Sequence, residues 1–572
     1  AVGMPRALVV TKLDKDRADF DETVAVAQRL FGDGVHPMYL PLLDDAHHIA
    51  GLMNLLNLNV IDYTDGSQDV RPAAPEHVAL TQTARNEFLE GVITESEDET
   101  LMDRFLAGDE LDLDLLMTDL ERAVARGHFF PVLPVAGPVG VREVAELIVK
   151  GFPSPLEHPQ PLVTTPDGDA VEAIECDPAG ALCAEIVKTV TDPYVGRISI
   201  ARVFSGTFVP DSTLHVSGHF APERGHTDHD IDERAGSISV PIGKHLASIE
   251  HGIAGDIVAI AKLTHAETGD TLSSKDAPLL VEPWAMPEPL LPAAIVAHTK
   301  ADDDKLGQAL SRIVAEDPTL RLERNSATGQ LVLWCLGDAH LELVLARLRG
   351  KHGVQVDSEE LRVSLRETFT QQAAGSGRLV KQSGGHGQYA VVEIEVAPLP
   401  QGAGFSFVDK VVGGAVPRQF ISSVEKGVRA QMERGVIAGY PVVDIQVTLL
   451  DGKAHSVDSS DMAFQQAGAL ALKDAAENST IAMLEPVANV AVTVADEFVG
   501  PVMSDISTRR AHVSGSQSVG NGRTQIDAVI PELELTHYAI ELRALAHGTG
   551  SFTRTYSGHV PMPPQAAAKH LA

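Results

Sequence analysis

The chain has few cysteines and no long apolar run, and each shortage excludes a class of protein. Three cysteines in 572 residues cannot form a disulfide framework, and Cys176, Cys183 and Cys335 lack the paired spacing of a zinc site. No run of about 18 apolar residues is present, which excludes a helix that spans a membrane. We therefore expect a protein of the reducing cytoplasm that does not enter a membrane.

Basic residues are also scarce: 45 Lys and Arg stand against 79 Asp and Glu, a formal net charge of −34 at pH 7. A global basic field of the kind that attracts nucleic acids is therefore absent. From residue 368 onward, however, the chain holds 15 basic and 19 acidic residues, a net of −4, so −30 lies upstream. An RNA partner would have to be met in the C-terminal third, through local contacts.

Length and residue pattern indicate several globular domains, about four on a prior of roughly 150 residues each. Between residues 180 and 280, short β-branched segments alternate with Gly turns and predict a β-barrel. Residues 288–367 and 485–560 each follow the order strand, helix, strand, strand, helix, strand, a split β-α-β pattern. A Gly-rich α/β segment lies between them at 368–484.

A base-reading motif follows the first apolar segment. Residues 7–10 predict a buried strand, and Thr11, Lys12 and Asp14 follow at its carboxyl end, where open α/β sheets bind ligands. The pattern (N/T)-K-x-D reads guanine, because the Asp carboxylate accepts hydrogen bonds from N1–H and the 2-amino group. Adenine cannot offer that pair of donors, so the motif predicts a guanine-nucleotide site.

The phosphate-binding loop of such a site is missing. The pattern G-x-x-x-x-G-K-(S/T) occurs nowhere, since the Gly-Lys pairs at 243–244, 350–351 and 452–453 are not followed by Ser or Thr. We expect no catalytic residue and no bound GTP or Mg²⁺ in this chain, because affinity and catalysis would rest on phosphate and metal contacts. We also expect the natural protein to begin upstream, because a sheet would hardly start on its fifth or sixth strand.

Histidines and aspartates crowd one polar stretch, residues 219–233, for which a metal site and an exposed hairpin loop are both open. The loop is favoured and no metal is expected, because the ligand types follow one another without a recognised metal-site spacing. The residues concerned are His219, His226, His229, Asp228, Asp230 and Asp232.

Further segments carry a family resemblance. They include residues 192–196 (DPYVG), 202–207 (RVFSGT), 255–260 (GDIVAI), 299–302 (TKAD), 383–389 (SGGHGQY), 439–444 (GYPVVD), 455–464 (HSVDSSDMAF) and 509–510 (RR). Together with residues 11–20, these motifs resemble bacterial elongation factor G along essentially the whole chain.

The resemblance implies a multidomain α/β and β fold. It consists of a partial P-loop GTPase domain with an insert, a β-barrel domain II, and two ferredoxin-like split β-α-β domains flanking an elongated α/β domain IV. The implied boundaries are 1–158 for the GTPase domain with its insert at about 38–128, 159–287 for domain II, 288–367 for domain III, 368–484 for domain IV, 485–560 for domain V and 561–572 for a C-terminal tail or helix.

Family members are ribosomal GTPases, so the resemblance implies coupling of GTP hydrolysis to tRNA–mRNA translocation or to ribosome disassembly. GTP and Mg²⁺ would be cofactors of the intact parent protein. The implied partners are ribosomal RNA, the ribosomal stalk protein at the insert, the tRNA–mRNA pair and a ribosome recycling factor, and the implied state is a monomer. The alternative is a ribosome-binding factor of the same architecture without effective GTPase activity.

The resemblance assigns residues to three sites. Guanine would contact Thr11, Lys12, Asp14, Ala136 and Gly137. The tip of domain IV, which meets the ribosome and tRNA, would comprise Ser383, Gly384, Gly385, His386, Gly387, Gln388, His455, Asp458 and Ser459. Ribosomal RNA would contact Arg509 and Arg510.

Chemistry supports these roles. Glycines allow a backbone to approach a sugar–phosphate chain closely, and Gln388 and His455 could hydrogen-bond to ribose or phosphate oxygens. Asp458 has an alternative role as the cap of the following helix. Arg509 and Arg510 are adjacent on a predicted helix and cannot share one face, so one is expected to contact RNA and the other an internal acid.

Several positions depart from the family pattern. Ala136-Gly137 stands where Ser-Ala is usual, and Thr11 replaces the commoner Asn. His386 replaces Arg, which lowers the charge of the tip near neutral pH, and Ala454 replaces an aromatic residue. These departures indicate a divergent member of the family.

Overall fold

The computed structural model describes residues 4–15, 17–44, 48–63, 67–94, 96, 98–109, 111–192, 195–219, 228–243, 245–282, 284, 286–381 and 387–570. They form two compact units. One holds most of the chain up to Glu282, and the other runs from residue 283 and takes in residues 188–197.

The first unit begins with two small sheets and their helices. In chain order the elements are β1 (Leu8–Val10), α1 (Phe20–Phe31), β2 (Val35–Pro37), β3 (Tyr39–Leu43), β4 (Ile49–Asn54), β5 (Asn59–Asp62), β6 (Asp69–Pro72), α2 (Pro75–Ile93), α3 (Glu99–Ala107), α4 (Leu113–Ala125), β7 (Phe130–Pro134) and α5 (Val141–Lys150). The order β1-β7-β2 forms a parallel sheet, and β3-β4-β5-β6 forms an antiparallel sheet.

Local sequence explains where α1 begins and ends. The Asp19 side chain accepts a hydrogen bond from the Glu22 backbone N–H and caps the first turn. Gly32 ends the helix with φ 91°, a backbone conformation that glycine adopts without strain. Phe20, Val24 and Ala27 face the core beside β2 and β7, so the helix fixes the layer behind the parallel sheet.

A β-barrel follows. Its elements are β8 (Val163–Thr164), β9 (Cys183–Asp192), β10 (Gly196–Ser205), β11 (Thr207–Phe208), β12 (Thr213–Gly218), β13 (His229–Arg234), β14 (Ile238–Ile242), β15 (His245–Ser248), β16 (Gly252–Ile253), β17 (Ile257–Ala261), β18 (Thr271–Ser274) and β19 (Leu280–Val281). Eight strands pair in the order β13-β12-β18-β9-β10-β17-β14-β15. Alternate residues such as Leu214, Val216 and Leu272 are buried inside it.

The second unit opens with a split β-α-β arrangement. Its elements are β20 (Leu291–Ala297), α6 (Lys300–Glu316), β21 (Arg321–Arg324), β22 (Leu331–Cys335), α7 (Asp338–His352) and β23 (Val356–Glu359). The sheet order β21-β22-β20-β23 is antiparallel throughout. The predicted succession of strands and helices is observed here.

The remaining elements form two separate sheets and the helices that pack on them. They are β24 (Arg366–Phe369), β25 (Ala373–Lys381), β26 (Gln388–Pro398), β27 (Phe405–Asp409), α8 (Arg418–Arg434), β28 (Ile445–Ala454), α9 (Asp461–Glu477), β29 (Ile481–Ala495), α10 (Val499–Thr508), β30 (His512–Gly520), β31 (Arg523–Pro531), α11 (Tyr538–Leu545), β32 (Ser551–Pro561) and α12 (Pro564–Ala567). One sheet has the order β25-β26-β28-β27; the other has β24-β29-β31-β30, with β32 also pairing β29.

Glycines let α9 lie unusually close to its sheet. A Cβ atom at Gly375 would overlap the Ala471 carbonyl, and one at Gly377 would overlap the Ala467 carbonyl. Ala467, Ala471 and Ala475 are fully buried on the helix face that meets these glycines. The Gly-rich composition of this segment therefore serves helix-on-sheet packing.

Candidate functional site

The two predicted guanine segments lie side by side. Val10 pairs Pro134 in register, and Val135 N–H donates to the Val10 carbonyl at 2.8 Å. Because β1 and β7 are parallel, the loops that follow them leave the same edge of the sheet. The structure thus brings residues 11–14 and 136–137 together, as a base-binding edge requires.

Some hydrogen-bonding groups at this edge of the sheet already have partners within the protein. The Asp14 carboxylate pairs with Lys15 Nζ at 2.8 Å, and that hydrogen bond lowers the pKa of Asp14. Ala136 N–H donates to the Val139 carbonyl at 3.1 Å, which leaves the Gly137 amide, at φ 58°, as the candidate donor to guanine O6. The Asp14 side chain is 46% exposed, so its carboxylate is accessible to an external hydrogen-bond donor.

The second site lies where β26 begins and β28 ends. Ser383, Gly384, Gly385 and His386 fall outside the described residues, whereas Gly387 and Gln388 lead into β26. Tyr389 N–H donates to the Asp458 carbonyl at 2.9 Å.

Ser459 joins the segment at Gly387–Tyr389 to the loop at 455–459 by two hydrogen bonds of its hydroxyl group. Its hydroxyl donates to the Tyr389 carbonyl at 2.7 Å and accepts from the His455 backbone N–H at 2.9 Å. Predicted tip residues from separate parts of the chain are therefore neighbours in this structure. A Cβ atom at Gly387 would lie 2.8 Å from the Asp458 carboxylate, so a larger residue there would displace the Asp458 side chain.

His455 presents one ring nitrogen outward. Its Nδ1 lies 3.1 Å from Asp458 Oδ2 and 3.2 Å from the Asp458 backbone nitrogen. Either contact occupies Nδ1, and the side chain remains 50% exposed. Nε2 is therefore the nitrogen positioned for an external hydrogen bond.

The cap role considered for Asp458 is wrong. Helix α9 begins at Asp461, and its N-cap is Ser460, which accepts from Ala463 N–H at 3.2 Å. Asp458 lies too far upstream to reach the first turn, and it orders the loop around His455 and Gly387 instead.

The expected helical position of Arg509 and Arg510 is also wrong. Helix α10 ends at Thr508, and Arg510 has φ 56°, a left-handed conformation. The turn sends the two guanidinium groups toward different acids. No Gly or Pro marks this helix end in the sequence, which is why the pattern missed it.

Both arginines hold internal carboxylates. Arg509 Nε lies 2.7 Å from Asp505 and its Nη2 2.5 Å from Glu541. Arg510 pairs with the buried Glu485, with one contact at 2.9 Å, and this hydrogen bond raises the pKa of Arg510. The Arg509 and Arg510 side chains are 12% and 29% exposed. Their contact with RNA stays a prediction, and it would have to be made by the guanidinium N–H groups that do not bind these carboxylates.

The histidine-rich stretch forms a hairpin whose described part pairs β12 with β13. His219 Nε2 lies 2.8 Å from Asp230, and His229 Nε2 lies 3.0 Å from Asp270. Within the described ranges, no group of three or more His, Cys, Asp or Glu side chains could hold a metal ion. His226 lies outside those ranges.

Sequence reasoning missed a buried carboxylate in the short strand β24. Glu367 is fully buried and accepts four backbone N–H bonds from residues 436–440, at 2.8–3.0 Å. The local sequence around Glu367 could not predict these hydrogen bonds, because the loop that donates them lies some 70 residues further along the chain.

The multidomain fold is that of a translation factor of the elongation factor G type, as comparisons with known proteins show. Family models match four successive regions: elongation factor G domain 2 at residues 181–275, domain III at 286–360, domain IV at 361–480 and the elongation factor G C-terminus at 482–570. The predicted fold class is confirmed.

Relatives extend the match over the whole chain, which belongs to the elongation factor G-like family. An elongation factor G-like protein of Mycobacterium tuberculosis is 56% identical over 99% of this chain and 80% of its own length. One of Thermotoga maritima is 35% identical with the same coverage. A crystal structure from Thermus thermophilus aligns with a TM-score of 0.70 at 31% identity, covering 100% of this chain and 81% of that one.

No helix in the described part of the chain has the length and apolar content to cross a membrane.

Proposed function

We propose that the protein acts on the ribosome, where its family architecture couples GTP hydrolysis to tRNA–mRNA translocation or to ribosome disassembly. The observation that carries this proposal is the domain IV tip. Two loops are clipped together by Ser459, and His455 projects from them half exposed. An arm with such an end suits contact with a sugar–phosphate backbone and not covalent chemistry.

The tip would act as a wedge. Gln388 at the start of β26 and Nε2 of His455 can donate hydrogen bonds to phosphate or ribose oxygens. Gly387, which packs against Asp458, permits close approach of the backbone. The tip would thereby hold a tRNA–mRNA pair in place as it moves. Ribosomal RNA would meet this C-terminal third, where the acidic excess is small.

Guanine would be held at the β1–β7 edge. Asp14 would accept from the base, the Lys12 stem would pack along it, and the Gly137 amide would donate to O6. If bound, GTP would supply the phosphoryl group for hydrolysis and Mg²⁺ would neutralise charge on its phosphates. The given sequence contains no G-x-x-x-x-G-K-(S/T), so the contacts to phosphate and metal would have to come from residues outside it.

By itself, this chain is expected to bind GTP negligibly. Calorimetric titration of the 572-residue chain with GTP should give no measurable heat of specific binding, because phosphate and metal contacts supply most of the affinity. Tight binding would contradict the assignment of the phosphate site to other residues.

A second candidate is a ribosome-binding factor of the same architecture without effective GTPase activity. The Ala136-Gly137 loop favours this candidate for two reasons. The Ser that is usual in the family is absent, and the Ala136 N–H already donates to the Val139 carbonyl. Such a factor would serve recycling, protection or regulation. Its partners would include the stalk protein at residues 38–128, and a recycling factor for disassembly. In either case we propose a cytoplasmic monomer.

The test is GTP hydrolysis by the intact parent protein, with and without ribosomes. Strong stimulation by ribosomes would support a working translational GTPase. Ribosome binding without stimulation would favour the second candidate. Failure to bind ribosomes at all would contradict both.

A further inference from the structure

A buried histidine lies where the base of domain IV meets the last strand of the C-terminal sheet. Val487 of β29 pairs Gly558 of β32, and Ala488 of β29 pairs Tyr556 of β32, so β32 has a β-bulge between Tyr556 and Gly558. Gly558 adopts φ 143°, and the next residue, His559, is only 7% exposed. The bulge re-aims the strand at this point, as bulges commonly do.

The imidazole ring of His559 is held from both sides. Its Nε2 lies 2.7 Å from the Ser364 carbonyl oxygen, and its Nδ1 lies 2.6 Å from the Tyr556 hydroxyl. A carbonyl only accepts, so Nε2 carries the proton and the Tyr556 hydroxyl donates to Nδ1. Burial lowers the pKa of His559, which favours this neutral ring.

The backbone of the same residue receives a bond from domain IV. Gln401 Nε2 donates to the His559 carbonyl oxygen at 2.5 Å. Gln401 lies in a loop that the buried Asp444 carboxylate organises, since it accepts from the Gly402 and Gly404 backbone N–H groups at 3.0 and 2.8 Å. The side chain that reaches His559 is therefore anchored to the domain IV sheet.

Three segments of chain thus converge on one residue: the linker at 360–365, the loop at 399–404 and β32. We propose that the Gln401–His559 contact is a positioning joint, which fixes the direction in which domain IV projects from the C-terminal sheet. Domains that share a chain reorient by default unless their contacts hold them. A bond network at the base of an arm consequently governs where its far end lies. The joint is a property of the free chain and stands independently of the ribosomal role.

The test measures the distance from domain IV to the C-terminal sheet in the 572-residue chain. Spin labels are attached at Val457→Cys and Val519→Cys, both exposed positions, in a Cys176→Ser background. Cys183 and Cys335 are buried and escape labelling. Double electron–electron resonance then reports the distribution of the label-to-label distance.

Gln401→Glu keeps the size of the side chain but removes the donor and sets a carboxylate against the His559 carbonyl. We expect the distance distribution to broaden about twofold, as for domains released from a fixed interface. His559→Ala should broaden it similarly, whereas His559→Gln keeps an N–H donor for Ser364 and should stay near the parent width.

Gln466→Glu is the matched control, because Gln466 is exposed on α9 and undergoes the same chemical change. Circular dichroism verifies that each variant folds. If the new charge prevents Gln401→Glu from folding, Gln401→Ala is used in its place. The proposal is overturned if the Gln401 and His559→Ala variants keep the parent width, or if Gln466→Glu broadens the distribution equally.

Discussion

At the scale of single residues, Glu367 shows how one carboxylate can organise a whole loop. Its two oxygens each accept two backbone N–H bonds, from Val436 and Ile437 and from Ala438 and Tyr440. Charge-assisted bonds of this kind are about twice as strong as neutral ones. The loop after α8 therefore depends on an acid in β24.

Glu367→Gln should loosen that loop. The amide nitrogen would replace an acceptor and face two N–H donors, leaving buried groups unpaired at a cost of about 3 kcal/mol. Hydrogen exchange measured by mass spectrometry should show faster exchange at residues 435–443. Glu360→Gln, at an exposed site, should leave exchange there unchanged; equal protection in both variants would contradict the role.

Glu185 makes a prediction about pH. It is 6% exposed on β9, and burial raises the pKa of Glu185 to about 7. The folded state thus holds the proton more tightly than the unfolded chain. Its stabilising contribution is complete below pH 4.5, the ordinary value, and is lost as pH rises through about 7.

Glu185→Gln should therefore stabilise the barrel above pH 7 by at most about 3 kcal/mol and have little effect below pH 4.5. Amide exchange of β9 and β18, compared between variant and parent at each pH, measures the difference. Glu250→Gln changes an exposed side chain and serves as control. A difference that does not grow with pH would refute the interpretation.

At the scale of elements, a helix with local capping signals could be predicted from the sequence, whereas the pairing of distant strands could not. Helix α1 (Phe20–Phe31), for example, has a local sequence signal at each end, Asp19 as N-cap and Gly32 as C-cap. By contrast, β24 pairs with β29, and Phe369 meets Ile481 across more than a hundred residues. Such a partner is set by tertiary structure, which no local pattern records.

The same limit applies to the candidate site. Sequence motifs predicted both guanine loops and the tip, and these assignments stay predictions. The motifs did not predict the hydrogen bonds of Ser459 to His455 and Tyr389, since those bonds join distant loops. They also could not show that Arg510 turns into a left-handed conformation toward Glu485. Motifs therefore indicated candidate surfaces, while the contacts within those surfaces required the structure.

Gly377→Ala tests the close packing of α9 on β25. Because its Cβ would overlap the Ala467 carbonyl, the helix must move, at a cost of about 1–3 kcal/mol. We expect faster exchange in both elements and a lower melting temperature. Gly515→Ala lies in β30 with open space around it and should be neutral or slightly stabilising.

At the scale of the whole molecule, the guanine loops and the tip belong to different domains, so their contributions should be separable by mutation. His455→Ala in the intact parent removes the Nε2 donor but leaves Asp14, Lys12 and Gly137 untouched. If the tip holds tRNA, the lost hydrogen bond to a charged phosphate should slow tRNA movement about tenfold. Ribosome-stimulated GTP hydrolysis should remain near normal.

Pre-steady-state measurement of both rates on the same ribosomes distinguishes the outcomes. His455→Gln, which retains an N–H donor, should recover part of the lost rate, and His512→Ala, at the start of the exposed strand β30, should have no effect. An equal loss of hydrolysis and movement would show that His455 supports the fold or docking and not the wedge. An unchanged rate of tRNA movement would show that His455 does not contact tRNA. If the unsubstituted protein moves no tRNA at all, the second candidate function is favoured.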